Sequence, residues 1–279
     1  MLAEESLREG RLQEALAQLQ EQVRKNPADP KLRVFLFQLL AILGQWERAL
    51  TQLSVAGELD ASTLGMVAVY RQALACERLR MDVFAGNRTP VVFGEPAEWI
   101  ALVIEALRLT AIGRDAESQA VRGQAFDAAP ATGGVLDGQR FQWLADADPR
   151  LGPLLELIVN GRYYWVPFAR IHRLTLEPPT DLRDLVWTPV FVTWANGGEA
   201  AGLVPTRYPG SQDSEDPQIR LARRTDWQPR GEDLYLGLGQ RMLATDAGEY
   251  PLLEVHSIEL DVSPESAAGA APAGSPPGG

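Results

Sequence analysis

The ten residues GRLQEALAQL at positions 10–19 return 34 positions later as GQWERALTQL at 44–53. A 34-residue period is that of the tetratricopeptide helix pair, a unit that buries its apolar face only by stacking on a neighbour. The recurrence commits the N-terminal part of the chain to antiparallel helices in a row. Gly10 and Gly44 stand where each pair turns, and Leu12 and Trp46 supply a large apolar residue just beyond. Ala15 and Ala49 let two helices cross closely, while Leu16 with Leu19, and Leu50 with Leu53, share one helical face. Pro27 stops the second helix of the first unit. Pro30 opens the next helix at its first turn, where a missing N–H costs little.

Further on, positions 64–84 read as another amphipathic helix, with Met66, Val69, Tyr70, Leu74 and Leu79 as candidate core residues. A loop over 85–96 carries Gly86, Pro90, Gly94 and Pro96. The run 99–107 is strongly helical, and Gly113 and Pro130 repeat the spacing of Gly10 and Pro27, which predicts a third, degenerate helix pair.

After residue 134 helical spacing gives way to short apolar runs rich in Trp, Tyr, Val and Phe between Gly and Pro. Strands are expected over 140–144, 154–159, 163–167, 173–176, 190–194, 200–205, 238–244 and 252–260. Asn160-Gly161 is a two-residue hairpin turn, and Asn196-Gly197-Gly198 marks another. The expected fold class is α+β: tetratricopeptide-like repeats over 1–134, then a β-rich, mainly antiparallel, partly barrel-like domain over 135–261. Residues 262–279, rich in Ala, Gly, Ser and Pro, have nothing to bury and are expected to form a disordered tail.

Net charge is −11 and the only lysines are Lys25 and Lys31, with the arginines scattered. Nucleic-acid binding needs a concentrated cationic surface, so it is not expected. The single cysteine, Cys76, rules out an internal disulfide framework and a cysteine-rich zinc site. On its helix it reads as a small core residue. The acidic start of the chain is unlike a secretory signal, and the apolar stretch 34–43 is about half of the ~20 residues that cross a bilayer. A cytoplasmic protein without membrane contact is the expectation.

Chemistry has few footholds. His172 and His256 sit in strand-like contexts and read as structural histidines. PGSQD at 209–213 lacks the second glycine of a nucleophile elbow, and Gly237-Leu238-Gly239 lacks the third glycine and following helix that cradle a phosphate. Asp213, Glu215 and Asp216 read as a solvated run rather than a cation loop. No catalytic, cofactor or metal residue is assigned. Five of seven tryptophans (Trp143, Trp165, Trp187, Trp194, Trp227) lie in the C-terminal half. Most serve the core, while the pairs Arg162-Tyr163 and Arg207-Tyr208 are contact candidates, because Arg and Tyr anchor interfaces. Packing under the sheet is the equally weighted alternative.

The phrases GRYYWVPF at 161–168, DLVW at 184–187, PTRYPGS at 205–211 and RTDW at 224–227, in that order behind the repeats, resemble the ImpE/TagJ family of type VI secretion accessory proteins. The resemblance spans about residues 1–260. It implies a cytoplasmic bacterial protein without enzymatic activity. Such a protein associates with the contractile sheath, through the N-terminal helical region of its small subunit, and is linked to the ATPase that disassembles contracted sheaths. Independently of the family, stacked helix pairs form a groove that takes a partner helix, and Val34, Gln38, Ala41 and Ile42 lie on its expected lining helix. A small-molecule pocket between the two domains, with Arg207, Glu254 and His256 converging, is the competing reading.

Overall fold

Three glycines adopt the left-handed backbone that ends a helix and turns it into the next: Gly10, Gly44 and Gly113, at φ +79°, +68° and +77°. In the computed structural model, which describes residues 2–95, 97–231 and 234–262, each sits between two antiparallel helices. The pairs are α1 (Leu2–Arg8) with α2 (Leu12–Lys25), α3 (Pro30–Ile42) with α4 (Trp46–Leu59), and, beyond α5 (Leu64–Phe84), α6 (Glu98–Ala111) with α7 (Asp115–Ala128). Asp29 caps α3, its carboxylate accepting from the backbone N–H groups of Lys31 and Leu32. The third pair expected around Gly113 is present. Positions 263–279 of the expected tail lie outside the described residues.

Helix α5 spans the predicted positions, but its inward face differs from the expected one. Tyr70 and Leu74 are buried, whereas Val69 is 47% exposed. Glu77 and Arg80, charged and unforeseen, are enclosed beside them.

Thirteen strands follow among the described residues: β1 (Gly134–Leu136), β2 (Gln139–Phe141), β3 (Leu144–Asp146), β4 (Leu154–Val159), β5 (Arg162–Pro167), β6 (Ile171–Leu176), β7 (Trp187–Trp194), β8 (Glu199–Pro205), β9 (Thr225–Pro229), β10 (Tyr235–Gly239), β11 (Met242–Thr245), β12 (Gly248–Pro251) and β13 (Ser257–Leu260). Asn160 and Gly161, both at positive φ, close the β4–β5 hairpin so that Val159 faces Arg162. Three expected strands are shorter or broken because their backbone bonds leave the ladder. Gln142 N–H donates to the Asp246 carboxylate, and Arg241 N–H to the Thr206 carbonyl. Residues 252–254 form a single 3-10 turn ahead of β13.

The main sheet has eight antiparallel strands in the order β2-β1-β13-β6-β7-β8-β4-β5. It is open, which corrects the barrel-like expectation: β2 and β5 are its two edges and do not pair with each other. Residues 91–93 cover the β5 edge, Trp165 N–H donating to the Val91 carbonyl and Phe93 N–H to that of Trp165, each at 2.9 Å.

Around β4 both faces of this sheet are covered, which is why all six residues of that strand are buried, whereas β6 mixes buried and exposed residues. Leu155, Leu157 and Val159 point to a core shared with β6, β7, β11 and β13. Leu154 and Ile158 point the other way and join Tyr163, Trp165, Trp187 and Leu203 in one continuous core with the helices. The apolar interior of the repeats thus runs straight into the sheet.

Candidate partner-binding site

The contact between helices and sheet is polar at its centre. Glu156 lies mid-strand on the helix-facing side of β4, fully buried, and Arg80 reaches it from α5 with Nε at 2.7 Å from Oε1 and Nη2 at 3.0 Å from Oε2. Arg241, also fully buried, pairs with Glu156 and with Asp146 of β3. Tyr163 donates its hydroxyl to Glu156 and accepts from the Trp165 indole at 2.7 Å, and the Trp187 indole donates to Glu77 at 2.9 Å. Burial opposes ionisation of Glu156, yet the two guanidiniums outweigh it and hold the carboxyl at about 2. Asp146 has one guanidinium and Asp148 nearby, so burial wins and lifts its carboxyl to about 6. The partners are satisfied by one another, so the cluster has the character of a structural lock.

Arginines of the C-terminal half also cap the helices. Arg207 Nη1 donates to the Ile42 carbonyl at the end of α3, at 2.9 Å. Arg223 donates to the carbonyls of Leu7 and Arg8 at the end of α1, and Arg230 to that of Thr110 in the last turn of α6. Each cation sits where the last carbonyls lack intrahelical partners and the helix dipole is negative.

These contacts decide what the contact candidates can do. Ala41 and Ile42 are wholly enclosed, and Tyr163, Arg207 and Tyr208 are at most 4% exposed. Their side chains hold the chain together and offer no surface. Tyr208 donates to Asp146 at 3.0 Å, and burial pushes Arg207 down to about 10. Arg162, at the start of the edge strand β5, is exposed. Arg207, fixed on helix carbonyls, and the exposed Glu254 and His256 share no described contact, so the geometry offers no support for the small-molecule reading. Both histidines are exposed, and His256 lies 3.7 Å from Asp137. Burial raises the Cys76 thiol to about 11. Among the described residues no group of three or more His, Cys, Asp or Glu is placed to hold a metal, and no helix is long and apolar enough to cross a membrane.

Val34 and Gln38 remain, one turn apart on α3. The 3-10 turn Leu182–Leu185 lies across this helix, and Gln38 clamps it, accepting from Leu182 N–H at 3.2 Å. The repeat groove is therefore part-filled by the chain's own turn. What stays open is a cleft of about 610 Å³ between α1, α3 and segments around residues 181 and 222. Leu7, Leu32, Val34, Phe35 and Leu182 form its apolar floor, with Arg8, Lys31, Asp60 and Arg223 at its rim. Phe35 and the covering turn were missed in the sequence, since the turn lies over 140 positions from α3 and leaves no local signal.

Helix pairs of this period, locked by buried arginines to an open antiparallel sheet, define a tetratricopeptide-type repeat protein with a β-rich partner region. The tetratricopeptide repeat model matches residues 6–64 and the ImpE protein model residues 138–259. The type VI secretion system accessory component TagJ of Pseudomonas aeruginosa PAO1 is 54% identical over 267 residues, 96% of this chain and 93% of that protein. The crystal structure of protein VPA1032 from Vibrio parahaemolyticus superposes with a TM-score of 0.84 at 29% identity, covering 93% of this chain and 97% of that one. The chain belongs to the ImpE/TagJ family of type VI secretion accessory components.

Proposed function

We propose that this protein is a non-enzymatic, cytoplasmic adaptor of the type VI secretion system. It binds the N-terminal helical region of the small sheath subunit and is linked thereby to the ATPase that recycles contracted sheaths. The observation that carries the reading is the α1–α3 cleft: an open apolar floor with a mixed-charge rim, in a chain that matches an accessory component over 96% of its length. A partner helix can seat its apolar face on Val34 and Phe35, leaving its polar face to water. Gln38 takes part by holding the covering turn, and exposed Arg162 is a second contact candidate on the sheet side.

Calorimetric titration of the full chain with a peptide covering that helical region tests the reading. Saturable one-to-one binding, abolished when the peptide's apolar face is made charged, is expected. Absence of binding to both the peptide and the intact subunit overturns it.

A further inference from the structure

Helix α5 begins a repeat unit that has no second helix of its own. Pro30, the first residue of α3, and Leu64, the first of α5, are 34 positions apart. At the same interval after Gly44, where α3 gives way to α4, stands Arg78, and there α5 does not turn but continues to Phe84. Helix α6 follows a loop and pairs with α7.

The place that α4 takes against α3 is consequently open beside α5. It is a groove of about 590 Å³, lined by residues 44–50 of the preceding turn and α4, and by residues 71–81 of α5. Trp46, Leu50 and Leu74 form its floor, and Met81, at its end, is 46% exposed. Ala75 leaves room at mid-groove, as Ala15 and Ala49 do where the repeat helices cross. From Arg71 to Met81 the wall runs about 15 Å, some three turns of helix.

Its rim is cationic on a chain of net charge −11. Arg48, Arg71 and Arg78 line it against one carboxylate, Glu47, which pairs with Arg78 at the surface. We infer that this groove docks an acidic amphipathic helix from a partner protein, standing in for the second helix the unit lacks. Its apolar ridge would lie on Trp46, Leu50 and Leu74, and flanking Glu or Asp would meet the arginines. The site is on a different face from the α1–α3 cleft, and the inference holds or fails independently of the adaptor reading.

The test uses the full chain and a stapled helical peptide of about 16 residues. It carries leucines at i, i+3, i+4 and i+7 with flanking glutamates, and a twin carries lysines in their place. Fluorescence anisotropy should show saturable one-to-one binding of the glutamate peptide and at least about tenfold weaker binding of the lysine twin at low salt. Ala75→Trp, which fills the groove, and Arg48→Glu/Arg71→Glu should each weaken the glutamate peptide about tenfold or more, while Val34→Asp leaves it unchanged. If Ala75→Trp fails to fold, judged by its thermal melt, the arginine variant decides. Equal binding of the twins, insensitivity to the groove variants, or a self-associated dimer that closes the groove against the peptide overturns the inference.

Discussion

Arg80 of α5 and Glu156 of β4, 76 positions apart, meet in a two-pronged buried ion pair at 2.7 and 3.0 Å. The pair fixes the helical repeats against the sheet at one defined register, because a carboxylate buried at this depth tolerates no loss of its partner. Arg80→Met is therefore expected to cost about 3 kcal/mol or more, since Glu156 keeps one guanidinium, Arg241, where it had two, with the Tyr163 hydroxyl beside it. Thermal melts should fall by roughly 10 °C. The double variant Arg80→Met/Glu156→Gln should recover part of the loss, and a double variant no better than the single would show that packing dominates.

Asp146 gives the protein an unusual pH profile. Its carboxyl rises from 3.8 to about 6 on folding, so between those values the folded state holds a proton the unfolded chain has released. Its contribution to stability is greatest below pH 4 and is lost as pH rises to about 6. Denaturant melts should show the stability of the wild type relative to Asp146→Asn declining over this window and level above it. Glu156 works in the opposite sense: lowered from 4.5 to about 2, it contributes above pH 4.5 and its share is lost on further acidification.

Two glycines should respond oppositely to alanine. At Gly239 the backbone is left-handed, φ +86°, and an added Cβ would lie 2.0 Å from the Arg224 carbonyl oxygen. Gly239→Ala should destabilise by more than about 2 kcal/mol. Gly123, inside α7, has open space around its Cβ position, and Gly123→Ala should stabilise by up to ~1 kcal/mol. Paired melts check both.

The repeats were legible in the sequence because their signals are local. A 34-residue period, turn glycines and apolar spacing place every helix from α1 to α5, and Asn160-Gly161 places the β4–β5 turn. The lock was not legible. Arg80, Asp146, Glu156 and Arg241 come from four separate elements, with the two arginines 76 and 85 positions from Glu156, and each alone resembles a surface charge. For the same reason the Arg207-Tyr208 pair reads as an interface anchor in sequence, whereas Arg207 caps α3 and Tyr208 hydrogen-bonds Asp146. Within α3 the helical period separates Val34, at the cleft, from Ala41 and Ile42 in the core only once the position of the covering turn is known.

The α1–α3 cleft as the seat of the sheath-subunit helix is tested most directly by calorimetry of that peptide against wild type, Val34→Asp and Met81→Asp, each shown to melt like the wild type. Placing a carboxylate on the cleft floor should weaken binding at least tenfold in Val34→Asp, on the order of 2 kcal/mol for a central contact, and leave Met81→Asp unaffected. Undiminished binding by Val34→Asp would contradict the account, and loss confined to Met81→Asp would in addition move the sheath contact to the α4–α5 groove.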